Sequence, residues 1–136
     1  MKSLFQYLFT VGLLLTSTLG LAQIPDTQHS NGIAYITGGV GEGETTAMLA
    51  EAKQWSLMLE LSQLENGRGV WIFGANIKIL NASKKVIFDA QAEGPYMLIN
   101  LEPGDYVIEA SYQSVEQKRA VSVKANASQK VSLFWK

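Results

Sequence analysis

Residues 101–112, LEPGDYVIEASY, join a turn to a strand and indicate the class of fold. Pro103 presets the backbone for a turn, and Gly104 is free to take a positive φ. In the seven residues that follow, the apolar side chains alternate with more polar ones. Tyr106, Ile108 and Ala110 fall on one face of a strand, which is the pattern of a sheet buried on one side.

The same period of two recurs along most of the chain. It is clear in SLMLELS (56–62), YMLINL (96–101) and KVSLFWK (130–136), and turn residues such as Asn66-Gly67 separate the segments. VWIFGANIKIL (70–80) reads as one strand with five side chains directed inward: Trp71, Phe73, Ala75, Ile77 and Ile79. The spacing predicts an all-β, antiparallel β-sandwich of about seven to eight strands.

One segment departs from this pattern and predicts a single short N-terminal α-helix over residues 44–55. Met48, Ala52 and Trp55 are spaced to share one helical face. Three turns are too short to be stable alone in water, so the helix must pack against the sandwich. Met58 and Phe134 alternate out of phase with their core-directed neighbours, so they lie under this helix or form an exposed contact patch.

The first 22 residues read as a secretory signal peptide. Lys2 supplies the positive start, an apolar run follows, and Gly20-x-Ala22 precedes a cleavage site between Ala22 and Gln23. Residues 23–31 then form a flexible leader, and residues 32–136 form the sandwich domain with its helix. The protein is therefore expected in the periplasm, with no stable membrane anchor after cleavage.

Charge and residue usage exclude several functions. Without Lys2 the chain has 10 basic and 12 acidic residues, a net charge of about −2, which disfavours nucleic acid as a partner. The chain has no cysteine, and its single histidine, His29, lies in the expected leader. A catalytic triad or a zinc site needs such residues held rigidly. We therefore expect no enzyme, no metal and no cofactor.

The stretch YITGGVGEGETTAM (35–48) contains four glycines ahead of the helix and raises the question of phosphate binding. It lacks the lysine of a P-loop, and Glu42 and Glu44 would repel phosphate. The glycines instead allow a sharp turn between strand and helix. We expect a structural hinge that is secondarily the rim of a contact site. Its candidate residues are Tyr35, Thr37, Gly38, Gly39, Gly41 and Glu42.

Residues 74–135 resemble the carboxypeptidase regulatory-like domain, a transthyretin-like (prealbumin-like) sandwich. The resemblance rests on IKILNASKK (77–85), LEPGDYVIEA (101–110) and VSLFW (131–135). The whole domain is also similar to small exported proteins of Gram-negative bacteria that share a Y-x-[ST]-G-G-V-G segment, here Tyr35 to Gly41, and a [DE]-G-P segment, here Glu93 to Pro95. Such domains are mostly non-catalytic binding or assembly modules.

The resulting expectation is a non-catalytic module that binds a protein or another envelope component. A carbohydrate-binding module is the first alternative, because Trp and Tyr side chains stack on sugars. A carboxylate-based hydrolase is the second. A coplanar exposed row of aromatic residues would favour sugar, a single apolar patch beside the glycine loop a protein, and a pocket with two facing carboxylates an enzyme.

Overall fold

A computed structural model describes residues 23–136, so the expected signal peptide lies outside the described residues. Two β-sheets face each other, which confirms the all-β sandwich with one short helix. The elements in chain order are β1 (Gln28–Ser30), β2 (Ile33–Gly38), α1 (Glu42–Glu51), a 3₁₀ turn (Ala52–Gln54), β3 (Leu57–Glu65), β4 (Arg68–Trp71), β5 (Asn76–Leu80), β6 (Val86–Gln91), β7 (Tyr96–Ile99), β8 (Gly104–Tyr112), β9 (Val115–Val123) and β10 (Gln129–Trp135).

The first sheet has the order β1-β2-β7-β3-β10, with β4 also paired to β3, and the second has the order β6-β5-β8-β9. All pairs are antiparallel except β3 with β10, which run parallel. The expectation of a purely antiparallel sandwich is therefore wrong at this pair. Residues 124–128 carry the chain from one sheet to the other and deliver it beside Ser56, where β3 begins, so both strands start at the same end.

Alternating side chains from both sheets fill the space between them. The side chains that were expected in the core are buried there. They are residues 57, 59 and 61 of β3, 108 and 110 of β8, and 131, 133 and 135 of β10. Phe88 is fully buried among them, and Tyr35 meets its ring edge-on at a centroid distance of 5.2 Å. Burial of this continuous apolar layer is the main source of stability.

A second, smaller apolar cluster lies on the opposite face of the first sheet. Helix α1 supplies Met48, the 3₁₀ turn supplies Ala52, and the sheet supplies Ile36, Met58 and Leu98. The helix therefore docks as expected, with Met58 beneath it. The regular α-helix is shorter than the expected 44–55, because its last turn tightens into the 3₁₀ form.

The expected flexible leader is wrong for residues 28–30. They form β1, which pairs with β2 through a tight turn in which Asn31 and Gly32 both have positive φ. The hydroxyl of Ser30 bridges to the second sheet by donating to Asp89 O at 3.0 Å and accepting from Asp89 N at 3.0 Å. These contacts fix residues 28–31 against the sandwich, and His29 therefore lies in a strand.

Candidate functional site: the glycine loop and the aromatic surface

The candidate residues Tyr35 and Thr37 are buried and serve the fold. Tyr35 packs in the core between the sheets. Thr37 Oγ1 donates to Tyr96 O at 3.2 Å and accepts from Glu93 N at 2.9 Å, which ties β2 to the segment before β7. Neither side chain is presented to a partner. Their role is to hold the start of the glycine loop in place.

Two different constraints favour glycine in the loop: a positive φ at some positions and close steric contact at others. Gly39 and Gly41 have φ values of +96° and +88°, which favour glycine strongly. Gly38 does not have a positive φ, so its backbone conformation does not require glycine. A Cβ on Gly38 would instead lie 2.5 Å from Glu44 Oε1 and 2.7 Å from Pro25 Cγ.

The backbone amides of the loop already have an anionic partner. Glu44 Oε1 accepts from Gly39 N at 2.7 Å and from Val40 N at 3.3 Å. Thr45 Oγ1 lies 2.7 Å from Gly39 O and 2.8 Å from Gly41 O, both within hydrogen-bond distance. A phosphate would have to displace a carboxylate of the same chain from these amides. The loop is thus closed on itself by the first turn of α1.

This geometry distinguishes the two acidic residues at the start of the helix. Replacing Glu44 with alanine should destabilise the protein by about 1–2 kcal/mol, because two hydrogen bonds to a half-buried carboxylate are lost. Glu42 is exposed, and its carboxylate accepts no hydrogen bond among the described residues, so Glu42→Ala should be close to wild type. Urea unfolding of both variants measures the difference, and equal losses would contradict the assigned role of Glu44.

An exposed aromatic surface adjoins this loop on the outer face of the first sheet. We define the aromatic surface as Trp71, Tyr96 and Phe134, together with Glu60 and Ser62 between them. Ser62 of β3 lies opposite Trp71 of β4 on one side and Phe134 of β10 on the other. Opposed residues in paired strands share a face, so these side chains form one row. Trp71 is 52% exposed and Phe134 is 42% exposed, whereas Tyr96 is only 2% exposed and lies beneath Trp71 and the glycine loop.

Tyr96 joins the aromatic surface to the glycine loop. Its ring contacts Trp71 at a centroid distance of 5.9 Å and an interplanar angle of 60°. The position of a Cβ on Gly39 would be only 2.5 Å from Tyr96 Cδ2, so the loop backbone rests directly on the ring. Of the six candidate residues, Gly39 therefore makes the contact that brings the loop to this surface.

Glu60 is the charged centre of the aromatic surface. Tyr96 Oη donates to Glu60 Oε2 at 3.3 Å, and Ser132 Oγ donates to Glu60 Oε1 at 3.2 Å. Lys130 Nζ lies 3.7 Å from Glu60 Oε2. Burial raises the pKa of the Tyr96 phenol above its ordinary value of 10.0, and the neighbouring Glu60 carboxylate raises this pKa further. Tyr96 thus keeps its proton and remains the hydrogen-bond donor to Glu60.

The inward orientation expected for Trp71 and Phe73 is wrong. Residues 70–80 are two strands, because Gly74 has a φ of +94° and separates β4 from β5. Ala75, Ile77 and Ile79 do point into the core, but before the break Ile72 is the buried residue. Trp71 and Phe73 are consequently exposed, Phe73 to 65%. Gly74 in the middle of residues 70–80 is the signal that a single strand was the wrong interpretation.

An open cleft of about 610 Å³ lies at one end of the sandwich and is lined in part by the turn between β1 and β2. Asn31, Lys85, Glu102 and Tyr106 are among its lining residues. Burial raises the pKa of Tyr106, and the Glu102 carboxylate adds to this rise. Glu102 is the one acidic residue in the lining, so the cleft does not present two facing carboxylates. Within residues 23–136, no group of three or more His, Cys, Asp or Glu side chains is placed to hold a metal.

Comparison with known proteins adds no assignment. A scan against protein-family models finds no match for the chain, and a search of curated proteins finds none either. Across residues 23–136, no helix has the length and apolar character required to cross a membrane.

Proposed function

We propose that this protein is a non-catalytic, exported β-sandwich module of the bacterial envelope that binds a protein partner through the aromatic surface. The observation that carries the proposal is the exposed pair Trp71 and Phe134 on either side of Ser62, beside the glycine loop. The resemblance to carboxypeptidase regulatory-like domains agrees with a binding or assembly role.

The chemistry of this surface is typical of protein contacts. Tryptophan is enriched among the residues that dominate binding energy at protein interfaces, and Trp71 is exposed here. Large apolar side chains exposed together on one face of a soluble domain often mark a site of interaction. The carboxylate of Glu60 is already bonded to Tyr96 and Ser132 and faces Lys130, so it places little unbalanced charge at the centre of the surface.

The exposed rings of the aromatic surface are Trp71 and Phe134, because Tyr96 is only 2% exposed and lies beneath the glycine loop. A sugar stacked on these two rings is the alternative occupant, and the experiment below distinguishes it from a protein.

A photoreactive amino acid placed at Phe134 tests the proposal in the living cell. Val86 is the matched control position, because it is 41% exposed but lies in β6 of the other sheet. We expect irradiation to give a discrete protein adduct from position 134 and none from position 86. The adduct should fall about tenfold when Trp71 is also changed to alanine, which is the effect of losing a central contact of about 1.4 kcal/mol.

Other results would contradict the proposal in different ways. Equal adducts from positions 134 and 86, or an adduct insensitive to Trp71→Ala, would overturn the assigned surface. Retention on immobilised envelope polysaccharide that Trp71→Ala abolishes, without a protein adduct, would replace the protein partner with a glycan. The same preparation tests export, since the mature protein should begin at Gln23 and fractionate with the periplasm.

A further inference from the structure

The backbone of β4 presents unpaired hydrogen-bonding groups along its outer edge. Ile72 N donates to Leu61 O at 3.3 Å, so the backbone of Ile72 faces β3. In an antiparallel ladder, successive residues face alternate sides. Arg68 and Val70 therefore also face β3, and the backbone groups of Gly69 and Trp71 point away from it.

Two other sheet edges are closed by side chains. On β6, Ser30 bonds both backbone groups of Asp89, and Asn31 Nδ2 donates to Ile87 O at 3.4 Å. On β10, Gln117 Nε2 donates to Phe134 O, and an Arg119 guanidinium nitrogen donates to Ser132 O at 3.3 Å. Such coverage is how native proteins prevent a strand edge from pairing with another chain.

Among residues 23–136, the β4 edge has no such cover, and it lacks the charged side chains Glu116, Lys118 and Arg119 that lie along the edge strand β9. Within the described part of the chain, no side chain hydrogen-bonds to the outward backbone groups of Gly69 or Trp71, and all four residues of β4 are exposed. Val70 is 40% exposed, and Trp71 and Phe73 are more exposed still. Unpaired backbone groups beside apolar side chains form the arrangement that accepts an added strand.

We propose that this edge pairs with the β4 edge of a second copy of the chain, antiparallel and around a two-fold axis at Val70. A two-fold interface uses the same surface on both subunits, and β4 suits this requirement. In this register Gly69 lies opposite Trp71 of the second copy. A Cβ on Gly69 would have no atom within 4 Å, so there is open space there for the opposing indole.

The charges of the strand do not oppose this pairing. Arg68 is the only charged residue of β4. In the proposed register the two Arg68 residues are four positions apart along the strands, about 13 Å at the rise of a β-strand. This exceeds the screening length of about 8 Å at physiological ionic strength. About four backbone hydrogen bonds would form between the Gly69 and Trp71 residues of the two copies.

A pair of variants at Gly69 tests the pairing on the purified, folded protein, without any other partner. The wild type should show concentration-dependent dimerisation in sedimentation equilibrium. Gly69→Pro removes an outward N–H but no bond to β3, and it should weaken dimerisation about tenfold or more. Gly69→Ala keeps the N–H and should stay within about threefold of wild type.

A cysteine at Val70 tests the register and remains informative if Gly69→Pro does not fold. Val70 lies opposite Val70 of the second copy in a non-hydrogen-bonded pair, where Cα atoms are about 4.5 Å apart, within the range for a disulfide. The natural chain has no cysteine. Val70→Cys should therefore form a covalent dimer about tenfold faster than Val86→Cys, whose exposure is similar.

Three results would overturn the inference: a wild type that is monomeric at every concentration, a Gly69→Pro variant that dimerises like wild type, or equal oxidation of the two cysteine variants. The inference goes beyond the proposed function and can fail independently of it. A monomer that still gives the Phe134 adduct contradicts only the dimer. A dimer that gives no adduct, or an adduct only with a second copy of the chain, contradicts only the partner.

Discussion

The variant Gly39→Val is expected to lose about 4 kcal/mol of stability, because two separate costs add. Gly39 has a φ of +96°, and a side chain there costs about 1–3 kcal/mol in backbone strain. The new Cβ would also lie 2.5 Å from Tyr96 Cδ2, and such overpacking costs about 1–3 kcal/mol more. Tyr96 is held by its contacts to Glu60 and Trp71, so the ring has little freedom to move away.

Gly41→Val is the matched control for this prediction. Gly41 has φ +88° and ψ 155°, a conformation almost restricted to glycine, but a Cβ there would meet no atom within 4 Å. It should lose about 2 kcal/mol, from strain alone. Urea unfolding of both variants isolates the contact with Tyr96. In a Tyr96→Ala background the cost of Gly39→Val should fall to that of Gly41→Val, and an unchanged cost would contradict the role of the ring.

Gly94→Ala is expected to be nearly as damaging, at about 3 kcal/mol. Gly94 is buried, and a Cβ on it would overlap the backbone carbonyl of Gly38. Both backbones are fixed, because Gly38 pairs with Tyr96 and Thr37 Oγ1 accepts from Glu93 N. Relief of the overlap would require separation of β2 from β7.

Gly69→Ala provides the control for Gly94→Ala, since a Cβ on Gly69 meets nothing and its φ is not positive. Its stability should equal that of wild type or rise slightly through loss of unfolded-state entropy. Thermal and urea unfolding are the measurements. A Gly94→Ala variant that unfolds with the wild-type midpoint would show that the backbone around Gly94 can shift. The contact between this segment and the Gly38 carbonyl would then not require glycine.

The interior of the sandwich could be predicted because alternation reports burial directly. Leu57, Leu59 and Leu61 all lie in the core, as do Val131, Leu133 and Trp135. The alternation does not indicate the relative direction of paired strands, because a strand buries the same side chains whether its neighbour is parallel or antiparallel. The parallel pairing of β3 with β10 depends on where residues 124–128 cross between the sheets.

The missed strand β1 did carry a local signal. Asn31-Gly32 is a tight-turn pair of the same kind as Asn66-Gly67, and both pairs have positive φ. The polar composition of residues 23–31 obscured it. Three residues can form a strand here because β2 and the contacts of Ser30 hold them, which is a tertiary effect.

The candidate site was predicted in part. The positive φ of Gly39 and Gly41 follows from residue type, and the loop does join the helix to the sheet. The partner of its amides could not be derived, because Glu44 reaches Gly39 and Val40 only after the loop has closed.

Of the two residues expected under the helix or in an exposed patch, Met58 is buried under the helix and Phe134 is exposed. Trp71 was missed because the break at Gly74 exposes it, and strict alternation across that break assigns it to the core.

We propose that the glycine loop serves structure while the adjoining aromatic surface makes the contact. The yield of the Phe134 photo-adduct per folded molecule in Trp71→Ala and Glu44→Ala separates these two roles. Trp71→Ala should lose most of the adduct at nearly wild-type stability, because Trp71 is exposed. Glu44→Ala should lose stability and keep the adduct. A folded Glu44→Ala protein without the adduct, beside a Trp71→Ala protein that retains it, would show that the loop itself is the binding site.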